Sequence, residues 1–413
     1  MQRHVRGVIG MKVAGAPRLG ETSRATRTLT HFVDVGPCFV NLTMSATRVW
    51  RVLWRQQLEF LGSEGKRTSR APGGVETRLP AGFVRFARSG LAVARYVWRR
   101  NTATGRRLAA PVTGEIAILR RSGAIKVLEL ETGRVTTVMT AEDGFAEKLE
   151  RRVRLSRRVE RHPFAPKVHE VALDQGWFSE DFFGGTHPRA FAGCRDDFES
   201  VYLPLLVEFA CAEPLEPVSL RTYIDMLLRD IHAPNGLLAK LAAEQRADVT
   251  RFVGALERKL ALGEQLVDTL PRTLSHGDYF SGNVVVADDG STRAIDWAHL
   301  GKRSPLYDLY YVVMNHCLRI LEPAARQVHL VRAIESFRRE LRQRDPERFE
   351  SLDPALIDRP DLRWLFYLEC VHVPLTVCDD PDDRYVRAML QRIRWFRAYE
   401  DDVGVAIDDG PRE

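Results

Sequence analysis

Residues 274–309 read LSHGDYFSGNVVVADDGSTRAIDWAHLGKRSPLYDL. Within them, NVVVADDGSTRAID has two apolar stretches joined at Asp289-Gly290, a dipeptide suited to a tight turn, and so predicts a β hairpin. Asp278 lies in the loop before the first strand, Asn283 opens that strand and Asp296 closes the second, so one hairpin gathers all three at its mouth. An amide oxygen beside two carboxylates is the hard-oxygen set that Mg2+ takes, with places left for phosphate oxygens and water. A carboxylate left off the metal can accept a hydroxyl proton. These roles suit phosphoryl transfer, in which a protein positions the nucleophile and neutralises charge building on the γ-phosphate. A lone loop aspartate is usually a turn or cap residue, but capping does not account for this ordered set.

His276, Gly277, Asp278 and Asn283 form H-G-D-x-x-x-x-N, Ile295-Asp296-Trp297 forms I-D-W, and Asp308 follows in SPLYDL. In these residues, their order and their spacing, the chain resembles the aminoglycoside phosphotransferase and choline kinase-like family. The resemblance, over roughly residues 110–400, implies an α+β, bilobal, protein-kinase-like fold with a small antiparallel β N-lobe and a mainly helical C-lobe; the N-terminal helical and disordered extension lies outside it. It implies ATP, or GTP in its place, with Mg2+. The acceptor implied is a small hydroxylated or aminated molecule, because protein kinases carry H-R-D and D-F-G at these places. By the same resemblance Asp278 would be the catalytic base, His276 would brace the loop, Asn283 and Asp296 would hold Mg2+, and Asp308 would anchor the loop.

Upstream, GEIAIL, AIKVLEL and RVTTVM, punctuated by RRSG and ETG, predict an antiparallel meander between Gly114 and Val138. A charged helix follows over Ala141–Val159, ended by His162-Pro163, and then two strand-like pieces, KVHEVAL and GWFSEDFF. Kinase-like folds hold the phosphates with a lysine on the third strand, paired to a helix glutamate. RVTTVM has no lysine. Lys126, one strand earlier, is the candidate, with Glu147 or Glu150 as partner; an exposed cross-strand lysine is the competing reading, since alternation puts it opposite Ile125 and Val127. The Arg121-Ser122-Gly123 turn offers Ser122 and Gly123 as phosphate cover, and Phe178–Phe183, with Asp181 and Phe182, is the candidate adenine hinge.

Residues 1–45 lack a sustained period and predict a mobile basic extension. Residues 46–110 predict basic amphipathic helices, one carrying Trp50, Leu53, Trp54, Leu58 and Leu61, another carrying Phe83, Phe86, Ala87, Leu91, Ala94, Val97 and Trp98 on its apolar stripe. The N-lobe is set at 111–185 and the helical C-lobe at 186–405, with the hairpin at 274–309 inside it. Cys370, His372 and Cys378 fall in or beside an apolar run, where buried thiols are commoner than metal ligands. The run Asp379, Asp380, Asp382 and Asp383 reads as a solvated loop before a cationic-acceptor site.

The 413 residues carry 61 Lys+Arg against 55 Asp+Glu, a net charge of +6 too evenly spread for a nucleic-acid binder. No apolar stretch reaches the ~20 residues of a membrane span. Six scattered cysteines without a C-x-x-C pair fit a reducing compartment, and the cytoplasm is the expected location. Two alternatives compete with a small-molecule kinase. One is a nucleotide-binding pseudokinase or scaffold, favoured by the displaced lysine and sparse glycine loop. The other is a kinase of a lipid-linked or envelope saccharide, with the basic helices in peripheral contact with the membrane.

Overall fold

The computed structural model describes residues 29–35, 38–55, 81–102, 106–119, 124–139, 145–188, 198–262, 268–287, 289–320, 322–404 and 407. The chain divides into two compact units, one reaching Thr186 and including the hairpin tip Ala287–Asp289, the other comprising the remainder from His187.

The first unit is built on one eight-stranded antiparallel sheet. In chain order its elements are β1 (Thr30–Asp34), β2 (Phe39–Asn41), α1 (Ala46–Arg55), α2 (Ala81–Thr102), β3 (Arg107–Ala110), β4 (Ile116–Leu119), β5 (Ile125–Glu129), β6 (Arg134–Val138), α3 (Phe145–Val159), β7 (Val168–Ala172) and β8 (Trp177–Asp181). The strand order is β3-β1-β2-β4-β5-β6-β8-β7. The expected meander is β4, β5 and β6, and Gly133, at φ 64°, makes the turn between the last two. Lys126 stands across from Ile118 and Thr137, and Thr137 across from Phe178 of β8. Directly paired residues share a face, and Leu149 and Val153 of α3 pack on Phe178. Lys126 is therefore half-buried on the face that α3 covers, while Ile125 and Val127 enter the core of the opposite face.

Two expectations for the first 110 residues are corrected. Part of the supposed mobile extension forms β1 and β2, with Phe32, Val33, Val35 and Val40 fully buried, and β3 closes a region expected to be wholly helical. These strands are only 5, 3 and 4 residues long, too short to leave a period in the sequence. Residues 1–28, Leu58 and Leu61 lie outside the described residues. The second correction concerns α2. It buries Ser89, Ala92 and Tyr96, and leaves Leu91, Val97 and Trp98 of the expected apolar stripe 54%, 40% and 58% exposed. Polar anchors set its rotation: the Tyr96 hydroxyl donates to the Met44 carbonyl at 2.6 Å, and Arg99 donates to the Asp34 carbonyl at 2.6 Å. Hydrophobic periodicity does not register such bonds. The side chains of Trp54, Phe83, Phe86 and Ala87 are outside the described residues.

The second unit is mainly helical. Its elements are α4 (Leu203–Ala212), β9 (Glu216–Ser219), α5 (Leu220–Ile231), α6 (Ala243–Leu262), β10 (Thr269–Ser275), β11 (Val284–Val286), β12 (Thr292–Ala294), β13 (Gly301–Arg303), α7 (Tyr307–Ile320), α8 (Pro323–Arg344), α9 (Pro360–Val377) and α10 (Arg384–Asp402), with short helical turns between them. The apolar α9 packs against α5, α6 and α10, so most of its circumference is buried. Cys370 is part of that core, and His372 bonds Asp230 at 3.1 Å. Inside this helical frame, β10 lies between β9 and β13, and β11 pairs with β12 as the expected hairpin.

Candidate active site

Strand β10 delivers the loop His276-Gly277-Asp278. Gly277 adopts φ 83°, and a Cβ there would collide with the His299 carbonyl, so both conformation and space require glycine. The loop is held from below by Asp308 at the start of α7, whose two oxygens accept the backbone amides of His276 (2.7 Å) and Gly277 (3.1 Å). Burial pushes the Asp308 carboxyl up, opposed by His276, Arg303 and these amides. The His276 ring is fully buried against Trp297, with centroids 4.4 Å apart. Its Nδ1 accepts from the Asp278 amide at 3.4 Å, which leaves Nε2–H to donate to the Ile295 carbonyl at 3.0 Å. One imidazole thus ties the loop to the end of β12.

The buried Asp278 carboxylate is surrounded by donors. Tyr311 donates to Oδ1 at 2.6 Å, while Asn283 Nδ2 and the Tyr385 hydroxyl each lie 3.2 Å from Oδ2. Asn283 also donates through Nδ2 to the Asp278 carbonyl at 2.9 Å. Its amide nitrogen is therefore spent on Asp278, and its amide oxygen is the group left for a cation. The Ile295 amide donates to the Asn283 carbonyl at 2.9 Å, so the hairpin register places Asp296 beside Asn283. Asp296 is half-buried and sits at φ 65°, the one non-glycine residue with positive φ among the described residues. That conformation costs about 1 kcal/mol and is found where a side chain must be aimed.

The donor set fits a hard divalent cation: one amide oxygen and one carboxylate, with the remaining positions for phosphate oxygens and water. Among the described residues no group of three or more His, Cys, Asp or Glu side chains could hold a metal ion. Next to Asp278, a narrow cavity is lined by His299, Tyr311, Cys370, Tyr385 and Arg392. Burial pushes the Cys370 thiol up to about 12, which keeps it protonated and inert.

Of the other expected residues, Lys126 is on the face of α3, and Glu147 lies exposed on the first turn of that helix. Ser122 and Gly123 lie outside the described residues. The Asp181 carboxylate accepts the Lys167 amide at 2.9 Å and pairs with His169 at 2.7 Å, while Phe182 packs into the core beside Val35 and Leu128. Both are occupied in holding the end of β8. The sequence reading missed Tyr311, Tyr385, His299 and Arg392. Tyr311 had a faint signal, three residues after Asp308 and so on the same face of α7. Tyr385 had none, because its approach depends on how α10 packs.

An antiparallel-sheet unit followed by a mainly helical unit carrying this hairpin defines the bilobal, kinase-like α+β class. The model of the phosphotransferase enzyme family matches residues 85–346, and the chain belongs to that family. It is a phosphotransferase. No curated protein matches the chain. Among solved structures it is similar to an ethanolamine kinase from Plasmodium vivax, at 14% identity and TM-score 0.43, covering 66% of this chain and 78% of that one. A choline kinase from Streptococcus pneumoniae gives 13%, 0.38, 67% and 90% for the same quantities. A thermostable aminoglycoside phosphotransferase variant in complex with ADP and hygromycin B gives 18%, 0.39, 68% and 90%.

Proposed function

We propose that the protein transfers the γ-phosphoryl group of Mg-ATP to a hydroxyl of a small molecule. The observation that supports this reading is the hairpin mouth, where Asn283 spends its amide nitrogen on Asp278 and its backbone carbonyl accepts from Ile295, the residue before Asp296. Asp278 orients the acceptor and takes its proton as the oxygen–phosphorus bond forms and ADP departs. Asn283 and Asp296 would hold Mg2+, which when bound neutralises charge on the transferring phosphates. His276 and Asp308 keep the loop in register with both. In unit one, Lys126 is the residue proposed to meet the phosphates.

The test is transfer of labelled γ-phosphate into extracts of the host. Asp278→Asn is expected to lose ~10³-fold or more in transfer while retaining nucleotide. Asp296→Asn is expected to weaken Mg-nucleotide binding itself. Equal loss of both functions in both variants would overturn the assignment. Family membership and the intact Asp278 favour this enzyme over a pseudokinase.

A second reading keeps the chemistry but puts the acceptor at a membrane. It rests on α2, which exposes Leu91, Val97 and Trp98 with arginines interleaved, although no helix among the described residues is long and apolar enough to cross a bilayer. Flotation of the full chain with anionic vesicles at low salt would support it, and absence of binding would sink it.

A further inference from the structure

Both tyrosines on Asp278 are backed by an arginine of α10. Arg392 donates to the Tyr311 hydroxyl and lies 4.4 Å over its ring; Arg384 donates to the Tyr385 hydroxyl at 2.9 Å and lies 4.7 Å over that ring. Each phenol accepts from a guanidinium and spends its one proton on the carboxylate. The two relays are unequal. Tyr311 is buried in the second turn of α7 and stacked on Tyr307, and its bond to Oδ1 is 2.6 Å. Tyr385 is half-buried in the first turn of α10, just after the Asp380–Asp383 turn, and its contact with Oδ2 is 3.2 Å.

An acceptor hydroxyl must come within about 2.6–3.2 Å of a carboxylate oxygen to hand over its proton. A carboxylate oxygen offers two lone pairs. Those of Oδ2 already meet Asn283 and Tyr385, and buried Tyr311 holds Oδ1 at 2.6 Å. We infer that Tyr311 is a positioning residue that fixes the Asp278 carboxylate, and that the Tyr385 hydroxyl occupies the place the acceptor hydroxyl takes during transfer. The acceptor displaces the longer, more exposed contact and leaves the short, buried one intact. The Arg384 guanidinium, freed of Tyr385, then faces the acceptor's oxygen. The inference rests on Asp278 being the base.

Water can serve as a surrogate acceptor, so the probe is ADP release from Mg-ATP alone, with melting temperature as a control for folding. Tyr311→Phe is expected to lower ADP release ~10-fold with unchanged nucleotide affinity, because the carboxylate loses its fixed orientation. Tyr385→Phe is expected to raise ADP release several-fold, because water enters the vacated place. Loss in both variants, wild-type rates in both, or no ADP release above background from Tyr385→Phe would each overturn the inference. Once an acceptor is in hand, Tyr385→Phe should lower its KM and Tyr311→Phe should lower kcat alone. Asp278→Asn separates the two levels: full ADP release from that variant defeats the base assignment itself, whereas its loss alongside wild-type rates in both phenylalanine variants defeats only the tyrosine roles. A crystal structure of Tyr311→Phe should show the Asp278 carboxylate rotated, and an unmoved carboxylate would also overturn the brace.

Discussion

His299 is buried beside the loop, and its Nδ1 has no hydrogen-bond partner. Burial pushes the imidazole down to about 4, against the opposing pull of Asp278 and Asp296. In the unfolded chain the same ring takes its proton near 6.5. Between those values the unfolded state binds more protons, so stability is complete above about 6.5 and falls as the solution is acidified toward 4. The contribution is roughly 3 kcal/mol across that window. His299→Gln is expected to flatten this part of the acid slope, read as urea midpoints at about pH 7 and pH 4.5. Parallel slopes for variant and wild type would show that the ring is not held neutral.

At the scale of elements, the hairpin β11–β12 was legible because it carries its own signal: a turn dipeptide between apolar runs, and a motif whose residues meet in one register. Asp278, Asn283 and Asp296 could be singled out for the same reason. The strands β9, β10 and β13 carried none, although β10 launches the loop. The rotation of α2 was misread because Tyr96 and Arg99, rather than its apolar residues, fix it to the carbonyls of Met44 and Asp34. The link between α7 and the loop is Asp308, whose carboxylate accepts two buried amides. Asp308→Asn replaces one acceptor oxygen by a donor facing an N–H, so it is expected to cost about 1–3 kcal/mol in chemical denaturation. Phosphoryl transfer should fall further than stability, because His276 and Asp278 share that loop. Wild-type transfer in a destabilised Asp308→Asn protein would show that α7 does not set the loop's geometry.

The family match begins at residue 85, inside α2, yet three elements before it are threaded into the same molecule. In the strand order β3-β1-β2-β4, the chain joins β3 to the meander only through β1 and β2. A chain beginning at Met44 would therefore leave β3 without a neighbour, open the edge of β4, and remove Phe32, Val33, Val35, Cys38, Phe39 and Val40 from the core. At about 1.5–3 kcal/mol for each large apolar side chain, the loss is on the order of 10 kcal/mol, comparable to the whole stability of a domain. Such a truncation is expected to lose the cooperative melting of the first unit, expose it to limited proteolysis and abolish nucleotide binding. Tyr96→Phe in the full chain keeps the strands and removes only the hydroxyl bond to Met44, and it is expected to cost about 1 kcal/mol with nucleotide binding retained. Melting and nucleotide affinity unchanged by the truncation would mean that the residues before the family match are an appendage; a collapse seen only in the truncated chain would make them part of the sheet that the phosphotransferase needs in order to fold.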